Sequence, residues 1–198
     1  MPSIFENFNK QDVSDLIAEY PLARVQPLPD RNQTSSLLPL LAEFDAEGAV
    51  ESLVGHMART NPLVGELSTR PNVTTFFQGP QSYISPSWVR KPDWAPTWNY
   101  VHLTVGGQIK FDALTIDDAL ERLVKVQESG RQNPWNITKM GERYRGLAAM
   151  VIPFRISVDK IHGKFKLGQD ESPEIFSDII EHLPSDDMAR WMRRFNNR

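Results

Sequence analysis

Between Thr97 and Phe111 the side chains alternate with a period of two. Val101, Leu103 and Val105 share one face, Tyr100, His102 and Thr104 the other, and Ile109 and Phe111 resume the pattern. That period marks a strand with one buried face. Gly106-Gly107 interrupts it with two residues free to take positive φ, so a β-hairpin turning at the glycine pair is expected. Antiparallel pairing follows from such a turn.

Other segments fit the same plan. Leu22 to Gln26, Ser36 to Leu40 and Val50 to Ala58 are short apolar stretches separated by Pro, Asp, Asn and Gly, and Asn72 to Gln78 is β-branched and aromatic. Each reads as a strand. Val151 to Ile161 alternates again, with Pro153 suggesting an edge position or a bulge. A first helix is expected from about Asp12 to Glu19, with Val13, Leu16 and Ile17 on one face and Pro21 as its stop.

Later in the chain the period lengthens to that of a helix. Thr115 and Asp118 resemble a capping box ahead of the stripe Ile116, Leu120, Leu123, Val124 and Gln127, with Gly130 able to close it. Lys139 to Met150 places Met140, Tyr144, Leu147 and Val151 at helical spacing. Ser172-Pro173 starts a helix with Phe176, Ile179, Ile180 and Leu183 on its apolar side. Asp186 or Asp187 starts the last one, which carries Met188, Trp191, Met192 and Phe195. Six or seven strands with helices inserted late give an α+β fold, mainly β, an antiparallel barrel. The expected organisation is one domain over 1–198, with the C-terminal helices of about 172–196 packed on it.

Composition narrows the chemistry. The chain has no Cys, which excludes disulfides, thiolate nucleophiles and Cys-ligated metals. Its net charge of -3 gives no general attraction to nucleic acid or anionic lipid. The N-terminal segment has acids spread through it and no signal-peptide core, and no window reaches the apolar length of a membrane span, so a cytoplasmic, membrane-free protein is expected. The four His, at 56, 102, 162 and 182, have no metal-ligand spacing. No Walker loop or G-x-G-x-x-G is present, and Ser85 lies in YISPS rather than in a nucleophile elbow.

Side chains able to hold a ligand gather in one run. Gly79 to Tyr100 contains three of the five Trp, two of the four Tyr and four of the fifteen Pro, interleaved with Ser82, Ser85, Ser87 and Thr97. Such a run builds either a flat apolar wall with hydroxyl donors or a Pro-punctuated piece of core. Arg59, Lys164 and Lys166 are the cations near strand ends, where they either cradle a phosphate or remain solvated. Arg190, Arg193, Arg194 and Arg198 form a basic cluster that opposes a helix dipole without needing DNA.

Together the motifs HMARTNP (56–62), FFQGPQSYISPSW (76–88), PTWNY (96–100) and GKFKLGQDES (163–172), with YPLARV (20–25) and NPW (133–135), resemble the PaiB family of FMN-binding negative transcriptional regulators. The resemblance covers nearly the whole chain. Gln81 stands where the family usually has His, and Val89 where it has Tyr. What the resemblance implies is an FMN-binding split barrel, of the kind shared with pyridoxamine-phosphate oxidases and small flavin reductases, working as a homodimer with FMN at the subunit interface. Carried over by motif, Arg59 and Asn61 are expected near the ribityl or phosphate group, with Ser85 and Ser87 as hydroxyl donors. Trp88, Trp98, Asn99 and Tyr100 are expected to line the ring, and Lys166 and Gln169 to close the site. A flavin-dependent oxidoreductase or haem-handling relative, or a cofactor-free dimer, are the alternatives on the same fold. A DNA partner rests on the family description alone, since no helix-turn-helix with a basic recognition helix is evident.

Overall fold

A computed structural model describes residues 3–29, 33–111 and 113–197. Arg198 of the basic cluster lies outside the described residues. Seven strands, β1 (Leu22–Pro27), β2 (Ser36–Pro39), β3 (Leu41–Phe44), β4 (Val50–Ala58), β5 (Asn72–Ile84), β6 (Thr97–Phe111) and β7 (Val151–Lys166), form one sheet in the order β2-β1-β5-β6-β7-β4-β3. The registers are antiparallel, as in Arg24 opposite Phe76 and His56 opposite Pro153. Six α-helices accompany them: α1 (Lys10–Glu19), α2 (Pro62–Thr69), α3 (Ile116–Gln127), α4 (Arg143–Ala148), α5 (Pro173–His182) and α6 (Asp186–Asn196). Among the described residues, no helix is long and apolar enough to cross a membrane.

The chain divides into two compact units, and β5, β6 and β7 each contribute residues to both. The larger comprises Lys10–Phe77 and Thr104–Ile161. Its core holds Leu16, Ile17, Leu40, Leu53, Met57 and Phe154, all fully buried. Gly55 allows Leu40 and Phe154 to meet over the strand: an added Cβ would lie 2.6 and 2.7 Å from them. Asn61 caps α2, its side chain accepting from the Leu63 N–H, and Pro62 supplies the preset φ of the first turn. Thr115 caps α3 in the same way, accepting from Asp118 N–H at 3.1 Å.

The smaller unit comprises 3–9, Gln78–Leu103 and 162–197. Phe165 is its centre, with the rings of Phe8 and Phe195 each at 5.0 Å and Trp191 at 6.0 Å. α6 turns Met188, Trp191, Met192 and Phe195 inward from its Ser185 cap. Its cations stay on the outer side, where Arg194 lies 5.1 Å over the Trp191 ring and Arg190 pairs with Asp187 at 3.2 Å. The helix dipole and these contacts account for the basic residues.

Three expectations are corrected, and one strand was missed. Gly106-Gly107 is not a turn: β6 runs unbroken through it. The pair is instead a site of close approach, since a Cβ on Gly107 would sit 2.1 Å from the Ser157 carbonyl oxygen and one on Gly106 2.9 Å from the Lys160 side chain. The stretch Lys139 to Met150 is not one helix, because Gly141, with φ +58°, separates a 3₁₀ turn (Ile137–Met140) from α4. Pro153 lies within β7 opposite His56 inside the sheet, not at an edge. β3 was not expected at all; its four residues show no alternation of burial, and its register slips between Glu43 and Phe44.

Candidate functional site

β5 and β6 are neighbours in the sheet, and strand parity decides what their aligned ends expose. Along β5, Gln81 and Tyr83 point outward while Ser82 and Ile84 are buried; along β6, Trp98, Tyr100 and His102 lie on the more open side while Asn99 and Val101 are buried. Trp98 donates its indole N–H to Gln81 Oε1 at 2.6 Å and stands edge-on to Tyr83, with centroids 5.8 Å apart. Tyr83 and Trp98 remain 46% and 49% exposed. Tyr100 stacks on His102 at 5.9 Å with an interplanar angle of 9°. Burial, aided by the Lys164 charge, holds the His102 pKa below its ordinary value, so the ring is neutral at pH 7. The result is an aromatic platform whose hydrogen-bonding edge is already oriented.

β5 ends in hydroxyls. Ser85 and Ser87 share a 2.8 Å hydrogen bond, and the Ser85 side chain caps the 3₁₀ turn Pro86–Trp88 by accepting from Ser87 N–H at 3.2 Å. Trp88 then leaves the platform and stacks on His182 of α5, rings 12° from parallel and 6.5 Å apart. Two residues on, Arg90 holds Asp178 of the same helix, and Trp94 donates to Glu171 at 3.0 Å. The segment after Ser87 is thereby tied down at three points.

Lys166, at the end of β7, donates to the Thr97 hydroxyl at the start of β6. Gln169 does not present a free amide: its Oε1 accepts from Leu167 N–H at 2.7 Å and its Nε2 donates to the Phe165 carbonyl at 2.5 Å. Asn99 is buried, its Nδ2 3.6 Å from Met192 Sδ. Parity therefore sets Asn99 on the opposite side of β6 from Trp98 and Tyr100.

Arg59 and Asn61 belong to the larger unit. The Arg59 Nε donates to the Ala149 carbonyl at 3.1 Å, and its side chain borders a cavity of about 450 Å³ with Leu114, Ile116 and Pro153. Asn61 is fixed at both ends of its amide, accepting from Leu63 N–H at 3.0 Å and donating to Ser36 Oγ at 2.9 Å. His56 is held neutral by burial, and no group of three or more metal-ligating side chains occurs among the described residues.

Of the ten residues the sequence reading grouped, the structure places Ser85, Ser87, Trp88, Trp98, Asn99, Tyr100, Lys166 and Gln169 in the smaller unit and Arg59 and Asn61 in the larger; the reading passed over Gln81 and Tyr83 as outward partners of Trp98. Carrying the strand alternation of Asn72 to Gln78 onward to Ile84 would have found both. Arg90 with Asp178 and Trp94 with Glu171 had no local signal, being 88 and 77 residues apart.

Residues 1–160 match the family model described as "Putative FMN-binding domain". The chain belongs to this FMN-binding domain family. FMN is the cofactor that the family's domain takes. Over 191 residues the FMN-binding-domain chain is 26% identical to "Protease synthase and sporulation protein PAI 2" of Bacillus subtilis strain 168, covering 94% of this chain and 90% of that protein, in agreement with the PaiB resemblance of the motifs. Among solved structures it is similar to the flavocytochrome Anf3 from Azotobacter vinelandii, with a TM-score of 0.58 at 13% identity over 90% of this chain and 75% of that one. It is also similar to the FAD and heme binding protein from Mycobacterium smegmatis, with a TM-score of 0.54 at 15% identity over 88% and 78%. At these identities the likeness is one of fold, the antiparallel split-barrel class with α-helices.

Proposed function

We propose that this chain binds FMN against the Tyr83–Trp98 platform and works as a homodimeric, cytoplasmic negative regulator of the PaiB type. The carrying observation is the platform itself: two large aromatic side chains, each about half in water and set edge to face, with the Trp98 indole held by Gln81 and with Ser85, Ser87, Thr97 and Lys166 in the same unit. Half-exposed Trp beside hydroxyls and a cation fits a ligand that is flat at one end and anionic at the other.

In this reading Trp98 and Tyr83 flank the isoalloxazine and Tyr100 extends the wall. Ser85 and Ser87 donate hydroxyls to the ribityl chain or phosphate, and Lys166 supplies positive charge. Arg59 and Asn61 are assigned to the phosphate by the HMARTNP motif alone. Asn99, Gln169 and Trp88 act behind the surface, through Met192, the Phe165–Leu167 backbone and His182. When bound, FMN supplies reversible one- and two-electron chemistry. The homodimer and the regulatory role are supported by the motif resemblance.

Titration of the purified protein with FMN, followed by the visible flavin band and by flavin fluorescence, tests the cofactor reading. A spectral shift with saturation supports it; no change up to about 100 µM FMN overturns it. A low-salt gel shift against upstream DNA tests the regulatory part. NAD(P)H oxidation by the FMN-loaded protein would move the reading to a flavin-dependent oxidoreductase.

A further inference from the structure

The excursion of residues 113–150, between β6 and β7, carries apolar side chains that it does not bury. Of α3 only Ala119 is buried, and of α4 only Ala148. Past α3 the chain turns back at Gly130, with φ +79°, and leaves a cleft of about 490 Å³ walled by Val124, Pro134, Trp135 and Ile137. A volume of that size suits a small molecule. The far wall is fixed by its own hydrogen bonds: Trp135 N–H donates to Glu128 Oε2 at 2.9 Å, and Lys139 Nζ to the Pro134 carbonyl at 3.4 Å. Those bonds hold the backbone, while Trp135 stays 37% exposed on the cleft.

The polar groups left over identify the class of occupant. Glu128 is spent within the chain, Oε2 on the Trp135 N–H and Oε1 on Arg131 at 3.5 Å, so that pair of charges cancels. The Asn136 Oδ1 accepts from the Thr138 hydroxyl at 2.5 Å, and the Asn136 side chain makes no cap for the turn that follows. What remains on the walls is a set of donors. Lys125 Nζ, the Trp135 indole N–H and the Asn136 amide N–H groups have no partner among the described residues. Donors beside apolar walls, one of them charged, call for acceptor oxygens with negative charge on a flat apolar body. Glu121, one turn before Lys125 on the same rim, limits that charge to one, since a dianion would meet a carboxylate with a single unpaired cation to offset it. We infer that the cleft between α3 and residues 130–138 is a binding site for a small aromatic monocarboxylate, its ring against Trp135 and Val124 and its carboxylate on Lys125. The inference goes beyond the proposed function and depends on neither its flavin nor its homodimer.

Phenylacetate is the test molecule, with 2-phenylethanol as its uncharged counterpart and phenyl phosphate as the dianion, each titrated against the full chain and followed by saturation-transfer NMR. Phenylacetate is expected to bind with a dissociation constant of about 1 mM or tighter. The alcohol and the phosphate are each expected to bind at least about fivefold more weakly. Lys125→Gln is expected to weaken phenylacetate about fivefold while leaving 2-phenylethanol within about twofold, and Glu121→Gln to strengthen phenylacetate about twofold. Both side chains are exposed on α3, so neither change disturbs the core. No phenylacetate binding up to about 10 mM, a preference for the alcohol or the phosphate, or an affinity that Lys125→Gln leaves unmoved overturns the site. Titrating the same variants with FMN reports on the flavin reading separately, and both are expected to match wild type there.

Discussion

Arg90 closes on Asp178 from both its backbone and its side chain. The guanidinium reaches Oδ1 from Nε at 3.0 Å and from Nη2 at 2.6 Å, while the Arg90 N–H donates to Oδ2 at 3.0 Å. One carboxylate of α5 thus fixes the chain that leads away from Ser85 and Ser87. These Arg90 hydrogen bonds hold the Asp178 pKa below its ordinary value of 3.8. A depressed carboxyl pKa contributes stability that is present above the ordinary value and is lost as pH falls through the lower, folded one. Asp178→Asn is therefore expected to lower Tm at pH 7, with the gap to wild type starting to close only as pH falls below 3.8 and gone once pH passes the lower folded value, read by thermal melts from pH 7 downward.

The histidines titrate in a higher window. Burial lowers the pKa of His56, and burial with the Lys164 charge lowers that of His102. The unfolded chain then binds more protons than the folded one just below the ordinary histidine value of 6.5. Stability is full above that value and declines as pH falls through it. The urea midpoint is expected to fall between pH 7.5 and about 5.5, and His56→Gln to flatten part of that slope.

Two glycines are expected to respond in opposite directions. Gly107→Ala drives a methyl to 2.1 Å from the Ser157 carbonyl and is expected to cost about 3 kcal/mol or more, or to prevent folding. Gly65 lies inside α2 with nothing within 4 Å of an added Cβ, so Gly65→Ala is expected to gain about 0.5–1 kcal/mol, which raises Tm by a few degrees. Differential scanning calorimetry of both variants checks the pair.

At the platform, Trp98→Ala removes a side chain that is half in water and is expected to cost stability only about 1 kcal/mol while weakening FMN binding at least about tenfold. Gln81→Leu leaves the indole in place but removes its acceptor, and a weakening of about threefold is expected. Flavin fluorescence titration separates the two. A large loss of stability in Trp98→Ala with FMN affinity unchanged would make the indole a packing residue.

Where sequence and structure agree, a local period or cap was the reason. α5 was legible because Ser172-Pro173 announces its start, and α6 because Asp186 or Asp187 was expected to open it, with Ser185 as the cap the structure adds; in both the i, i+3, i+4 stripe names the buried face. β6 was legible as alternation, but its glycine pair was misread, since a glycine required by a neighbouring strand's carbonyl looks the same in sequence as one required by a turn. The reach of β5 to Ile84 was hidden by the aromatic and Pro content of the same residues. Of the candidate site, the residue types and the motifs that carry them were legible, but which of them share a unit was not. The Arg90 and Trp94 tethers were not, because their partners lie far along the chain and only the folded backbone brings them together.

GKFKLGQ shows what such a signature selects. Gly163 leaves room for Leu103, Phe8 and Phe165, Phe165 and Leu167 are core, Gly168 takes φ +79°, and Gln169 bonds the backbone of Phe165 and Leu167. That leaves Lys164, whose Nζ lies 6.0 Å over the Phe5 ring, and Lys166, which donates to the Thr97 hydroxyl, as the residues of the string that neither fill the core nor shape the backbone. A search by this string therefore recovers chains that can close the same end of β7, whether or not they retain the cofactor. The two lysines, rather than the five letters around them, are the positions by which flavin-binding members and chains that have lost the flavin are expected to part.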